Sequence, residues 1–277
     1  MKIFRSVSVL ILLLFSATCT RVENKLKIAG STTVLPIVQA AAEVYMEQHP
    51  QVSISVRGGG SSIGIKSIIG RIVDLGSASR QINEREMKLI AAQEKNLQAF
   101  PIARDALTII VHPDNPVLNL TTGQLRLIYT GELHNWQQLG GPNLTIIPIS
   151  RDVSSGSFEV FNHFILDSLS VASGAMVLAS NNAVATTVSY TPGAIGYVGY
   201  GYAHEQVKII TLDGIRPQAE SIISGDYPLS RQLYIYTPDK PEQLASDFIA
   251  FLLSEEGQNI VTQQGFIKLH QTEPANE

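Results

Sequence analysis

Three times in this sequence an apolar or alternating run gives way to a short loop of glycine and hydroxyl residues, and then to residues in helical spacing. Leu26–Ala29 leads through Gly30-Ser31-Thr32-Thr33 into a helix with Pro36 in its first turn and Val38, Ala41, Ala42 and Tyr45 along one face. Val52–Val56 alternates as a strand does, Arg57-Gly58-Gly59-Gly60-Ser61-Ser62 breaks it, and Ile63–Ile69 resumes as a helix. Leu144–Ile149 reads as a buried strand, Arg151 to Ser157 as a loop, and Phe158–Leu166 as a helix. Strand, tight loop and helix form the unit of α/β architecture, in which ligands lie at the carboxyl ends of strands. Each loop therefore sets hydroxyls and free backbone N–H groups at the positive end of a helix dipole, a seat suited to an oxyanion. Arg151 adds a planar fork, and Gly156 lets the backbone approach closely. One such loop alone is equally well read as an ordinary N-cap by Ser155 or Ser157. Two loops in the first half and one in the second point to two lobes closing on a single anion.

The totals limit how that anion can be held. The chain has 277 residues, 44% hydrophobic and 16% charged, enough for one large domain or, as preferred here, two of medium size. Its net charge of -4 gives no electrostatic case for nucleic acid or an acidic membrane face, so local geometry must hold the ligand. The six histidines show no metal-ligand spacing, and no cofactor is expected.

Residues 1–19 read as an export signal: Lys2 and Arg5, an apolar run Val7–Phe15, then Ser16-Ala17-Thr18 before Cys19. Cys19 is the only cysteine, which rules out an internal disulfide. Its place resembles the acylated cysteine of bacterial lipoproteins, although Ser16 and Thr18 depart from the usual pattern; cleavage and release is the alternative. Either route puts the mature chain outside the cytoplasm, in the periplasm or on the outer face of the cytoplasmic membrane.

Further along, Arg71–Arg80 reads as a strand ending in another small-residue loop, with Asp74 holding loop amides. Arg80 is either a solvated charge at a helix start or a second cation at the cleft. Gln81–Ala92 is amphipathic, and Ala106–Val111 is a strand stopped by His112-Pro113-Asp114-Asn115-Pro116, read as the passage between lobes. Thr122–Tyr129 and Ala175–Val188 read as helices, with Trp136 on a loop or turn between them. Pro192–Tyr200, Val207–Leu212 and Leu233–Tyr236 read as strands, Leu244–Leu253 and Gly257–Gln263 as closing helices, and the end from Gln271 as frayed. The expected division is residues 25–105 with 228–277 for the first lobe and 106–227 for the second, joined by a two-strand hinge.

Six ordered segments resemble the phosphate-binding proteins of bacterial phosphate ABC transporters: Gly30 to Thr33, Gly60 to Ser62, Asp74 to Arg80, His112 to Pro116, Arg151 to Ser157, and Thr191 to Tyr197. The resemblance covers nearly everything after Cys19. It implies a two-lobed, type II-like periplasmic-binding-protein fold and a monomer that delivers inorganic phosphate to a membrane permease driven by a cytoplasmic ATPase. By position it assigns ligand contacts to Ser31, Thr32, Thr33, Ser61, Arg151, Ser155, Gly156 and Ser157, with Arg80 added as the second cation. Two positions depart from the family pattern. Arg80 stands near the place of an aspartate that accepts the phosphate proton, and Val153 replaces the acidic residue two after the arginine, with Asp152 displaced by one.

Other readings stay open. Gly60-Ser61-Ser62-Ile63-Gly64 matches G-x-S-x-G between strand and helix, the context of a hydrolase nucleophile, here Ser62. Against an enzyme, that motif leaves the other hydroxyl loops unexplained. Gly64-Ile65-Lys66-Ser67 separates the glycine and lysine that a P-loop keeps adjacent. A binder of another oxyanion such as sulfate, or a phosphate sensor feeding no transporter, would share the same fold.

Overall fold

The computed structural model describes residues 24–269. The expected export signal, Cys19 and the end beyond Gln271 lie outside the described residues. In chain order the elements are β1 (Asn24–Gly30), α1 (Leu35–Gln48), β2 (Val52–Gly58), α2 (Ser61–Ile69), β3 (Leu75–Ala78), α3 (Glu84–Ala92) and β4 (Leu97–Val111). Then follow β5 (Asn119–Leu120), α4 (Thr122–Thr130), a 3-10 turn (Trp136–Leu139), β6 (Ile147–Arg151) and α5 (Gly156–Phe161), which continues as a π-helical turn over Asn162–Leu166. The chain closes with β7 (Met176–Leu178), α6 (Asn181–Tyr190), β8 (Ala194–Gly199), β9 (Lys208–Ile209), β10 (Thr211–Leu212), α7 (Ala219–Ser224), β11 (Ser230–Pro238), α8 (Gln243–Leu253) and α9 (Glu255–Gln263).

The long strand β4 belongs to two sheets. Its first part, Leu97 to Ala106, pairs antiparallel with β11, which lies in turn beside β3, β1 and β2; from Leu107 to Val111 it pairs with β8, and β6 and β7 follow. The result is a two-lobed α/β fold with one continuous strand running through both lobes. Periodicity explains the packing. Leu26 and Ile28 point inward from β1 at strand spacing, against Ile37, Val38, Ala41 and Tyr45 of α1 and Phe248 and Leu252 of α8. The opposite face of that sheet is covered by Ile65, Ile68 and Ile69 of α2 with Ile90 of α3. In the second lobe Tyr129, Trp136, Phe161 and Tyr197 fill one face and Val184, Ala185 and Val188 of α6 the other. Each fully buried Val, Leu, Ile or Phe among these contributes about 1.5–3 kcal/mol. Capping boxes at Asn83 with Glu86 and at Thr121 with Gln124 fix the starts of α3 and α4.

Three local expectations need correction. Ala175–Val188 is not one helix: Met176–Leu178 adds a strand beside β6, and Ser180 caps a helix that starts only at Asn181. Strand pairing outweighs helical spacing here, and it leaves the carbonyls of Leu178 and Ala179 facing Arg151. The double-proline segment is not the passage between lobes. That passage occurs inside β4, whereas His112–Pro116 is a tight turn in which Asn115 N–H donates to the His112 carbonyl at 3.0 Å. Finally, β6 extends to Arg151, so this arginine ends a strand and is not a loop residue, while the helix after it begins at Gly156.

Candidate anion-binding site

The three hydroxyl loops meet where the two lobes face each other. Thr32 and Thr33 follow β1, Ser61 opens α2, and Ser155, Gly156 and Ser157 open α5. Gly60, with φ of 111°, adopts a backbone that disfavours any side chain, and a Cβ there would lie 2.5 Å from the Ser154 carbonyl oxygen of the opposite lobe. A Cβ on Gly156 would lie 2.3 Å from Ser61 Oγ and 2.6 Å from Ser79 Oγ. Both glycines are therefore conditions for the lobes to meet. The contact is sealed by Ser62 N–H donating to the Ser154 carbonyl at 3.1 Å and by Ser154 Oγ donating to the Gly59 carbonyl at 2.9 Å.

Arg151 ends β6 beside these loops, and its surroundings are mostly neutral. Nε donates to the Leu178 carbonyl at 3.0 Å, and Nη2 donates to the Ala179 carbonyl at 3.0 Å and to Thr32 Oγ1 at 3.1 Å. Nη1 is buried and has no hydrogen-bond partner among the described residues. The nearest carboxylate, Asp152, is 3.8 Å away and is engaged with Ser154. Burial lowers the arginine's pKa, with Asp152 opposing that shift; a guanidinium nevertheless keeps its charge in proteins. Beneath it, the Tyr197 hydroxyl accepts the Arg151 N–H at 3.1 Å and meets Ser150 Oγ at 2.9 Å. Burial pushes Tyr197 up to about 12, so it is a neutral phenol near pH 7.

The other predicted residues divide into two groups. Thr33 Oγ1 lies 3.5 Å from Ser157 Oγ across the lobes, and Ser61 Oγ accepts the Ser79 N–H at 3.0 Å. Ser31 and Ser155 serve the backbone: Ser31 Oγ accepts from Thr33 N–H and Ser155 Oγ from Phe158 N–H, each tying down its own turn. Arg80 is not solvated, and of the hydroxyl loops it touches only Ser62, at 2.9 Å. Its Nη1 and Nη2 grip Glu86 at 2.8 Å, and Nη2 also reaches Glu159 of α5 at 2.7 Å. Burial works against its charge, but Glu86 and Glu159 outweigh that and raise its pKa. The residue after β3 that faces the loops is Ser79, whose Oγ lies 3.3 Å from Ser61 Oγ.

Sequence reasoning passed over Asp105, Asn181 and Arg231. Asp105 is fully buried and binds Arg231 at 2.7 Å; burial raises its pKa, with Arg231 opposing the shift. The free arm of Arg231, Nη1, donates to Ser157 Oγ at 3.1 Å, and Asn181 Nδ2 donates to Thr33 Oγ1 at 2.9 Å. Asp105, which follows Arg104 and directly precedes the strand-like run Ala106 to Val111, was the available signal, because a buried charge needs a partner. Ser62, the residue matching a hydrolase nucleophile, donates to Glu159 Oε1 at 2.7 Å and accepts from Arg80 at 2.9 Å, and no imidazole is among its partners. Two open grooves of about 830 and 630 Å³ share Asn83 and Glu159 in their walls, and neither is lined by Thr32, Thr33, Ser61, Arg151 or Ser157. Among the described residues no cluster of His, Cys, Asp and Glu is arranged to hold a metal, and no helix is long and apolar enough to cross a membrane.

What these loops can do is surround a small oxyanion with hydroxyl and amide donors and one guanidinium. Several known proteins are similar to the chain over most of its length. The family model for the PBP superfamily domain matches residues 16–256. The phosphate-binding protein PstS of Bacillus subtilis is 33% identical over 249 residues, 89% of this chain and 81% of that protein. PstS of Borreliella burgdorferi is 33% identical over 257 residues, 88% of this chain and 90% of its own. Among solved structures, a Clostridium perfringens substrate-binding protein with bound phosphate superposes with a TM-score of 0.82 at 31% identity, covering 89% of this chain and all (100%) of that one. An ABC-type phosphate transport receptor from Vibrio cholerae gives 0.74 at 34% identity, covering 88% and 100%. By fold and sequence, this chain belongs to the PBP superfamily and, within it, to the family of the phosphate-binding proteins PstS.

Proposed function

We propose that the chain is the extracytoplasmic substrate-binding component of a phosphate ABC importer, holding inorganic phosphate between its lobes and delivering it to the permease. The observation that carries this reading is the buried Arg151, held by neutral carbonyls and left with an unpartnered Nη1 beside the hydroxyl loops. Family membership supplies the identity of the oxyanion. The ligand set is Thr32, Thr33, Ser61, Arg151, Gly156 and Ser157, with Ser31 and Ser155 shaping their turns. In this reading Ser79 Oγ, 3.3 Å from Ser61 Oγ, accepts the proton of hydrogen phosphate, a role that the family resemblance gives to an aspartate near this position. Arg80 acts in closure and not as a ligand.

Each charge-assisted hydrogen bond contributes about 1.5–3 kcal/mol, and micromolar affinity needs about 8 kcal/mol, so a few of these contacts suffice. The role is recognition, not catalysis. The lobe assignment places residues 25–105 with 228–277 against 106–227, the monomer works outside the cytoplasm, and Cys19 tethers it where lipidated. Calorimetry on the mature chain, stripped of retained ligand and titrated in parallel with phosphate and sulfate, tests the proposal. Phosphate binding at micromolar affinity or tighter with sulfate silent is the expected result; equal binding of sulfate would overturn the phosphate assignment.

A further inference from the structure

A hydroxyl group carries one proton and two lone pairs, so its usefulness to an anion depends on which side neighbouring groups occupy. At Thr33 the neighbour is Asn181, which is fully buried. Its Oδ1 accepts the Gly199 N–H at 3.2 Å, which orients the amide so that Nδ2 donates to Thr33 Oγ1 at 2.9 Å. At Ser157 the neighbour is Arg231. Its Nε donates to Asp105 Oδ2 at 2.8 Å, Nη2 is ion-paired with the same oxygen at 2.7 Å without a hydrogen bond of its own, and Asp105 Oδ1 is held by the Tyr200 N–H at 2.8 Å, so the guanidinium is fixed with Nη1 on Ser157 Oγ at 3.1 Å. Neither an amide NH₂ nor a guanidinium can accept a proton in return. Neither hydroxyl can point its proton at these donors, and the 3.5 Å between Thr33 Oγ1 and Ser157 Oγ engages at most one of the two protons.

Resting on the phosphate-binding reading above, we propose that Asn181 and the Asp105–Arg231 pair are positioning residues that turn the Thr33 and Ser157 hydroxyl protons toward the bound anion. The same polarity recurs at neighbouring hydroxyls: Thr32 accepts from Arg151, Ser61 from Ser79 N–H and Ser155 from Phe158 N–H. Those donors are backbone groups or the ligand arginine itself. Asn181 and Arg231 stand apart because they are side chains behind the first layer, brought from α6 and β11. A site preset in this way need not reorient its dipoles when the ligand arrives, which is how fixed donors favour an anion over water.

The test is a double-mutant cycle read by phosphate calorimetry, because a merely structural contribution adds to any other loss whereas a contribution acting through one hydroxyl vanishes with that hydroxyl. Asn181→Ala in the wild-type background is expected to weaken phosphate binding by about three- to tenfold, the loss of one oriented neutral donor. In the Thr33→Val background the same change is expected to cost less than about twofold. A second cycle pairs Arg231→Lys with Ser157→Ala. Lysine keeps Asp105 paired but is a compact ammonium that cannot span both partners, so the fold is retained if Asn181→Ala proves unstable to heat. Additive losses in a cycle whose variants unfold cooperatively like the wild type would overturn the inference while leaving phosphate binding intact. A wild-type chain that gives no heat with phosphate would overturn the proposed function and this inference with it.

Discussion

Arg151 and Arg80 lie at the same junction between lobes and have opposite fates. Arg151 is held by the carbonyls of Leu178 and Ala179 and by a threonine hydroxyl, and one of its nitrogens is unpartnered. Arg80 is held by Glu86 on its own lobe and by Glu159 on the other, with Ser62 and Asn83 completing the grip on Glu159. A cation surrounded by neutral dipoles keeps its charge for a ligand. A cation surrounded by carboxylates has spent it, here on joining two lobes. Charge count alone would have treated the two arginines as equals.

The sharpest way to break this comparison is to remove the uncommitted cation. Arg151→Ala is expected to weaken phosphate binding by about 10- to 150-fold, the range for a lost charge-assisted bond, and unchanged affinity by calorimetry would deny it the ligand role. Next comes Gly156→Ala, whose methyl would meet Ser61 Oγ at 2.3 Å. The lobes are expected to stay apart, with affinity down about tenfold or more and no contraction on adding phosphate in small-angle scattering. Glu159→Gln leaves Arg80 with Glu86 but weakens the tie across the lobes, so a loss of about three- to tenfold is expected; a loss as large as that of Arg151→Ala would mean that the two arginines are not functionally distinct. The smallest effect belongs to Ser62→Ala, about twofold at most, and the wild-type serine should remain inert toward a fluorophosphonate probe.

The hydroxyl loops were legible because strand, loop and helix are contiguous, so one short stretch of chain carries the whole signal for each, and the chemistry of glycine and serine is local. The partners of those loops were not. Asn181 reaches Thr33 across a separation of 148 residues, and Arg231 reaches Asp105 across 126. Asp105 advertised a need for a cation, but only the register of β4 against β11, which sets Arg231 opposite Asp105, says which one. Arg80 was the candidate and Ser79 beside it was not; both lie just past the end of β3, where local spacing does not say that Ser79 meets Ser61 and Arg80 meets Glu159. The mistaken helix over Ala175–Val188 failed for the same reason, since the pairing of Met176–Leu178 with β6 is invisible in local spacing.

The strand order β3-β11-β4 has a consequence for how this molecule is made. The strand that stitches the first lobe together is the last of all in chain order, so β1, β2 and β3 emerge, from a ribosome or across a membrane, before their sheet can be completed. The second lobe, whose sheet draws on β4, β6, β7, β8 and β9, has all its strands earlier. It is free to assemble while the first lobe still waits with the edge of β3 unpaired. Long-range pairing of this kind slows folding and prolongs exposure of a sticky edge. The chain's vulnerability during biogenesis is therefore concentrated in its first lobe, and truncations near the C-terminus should damage the N-terminal sheet first.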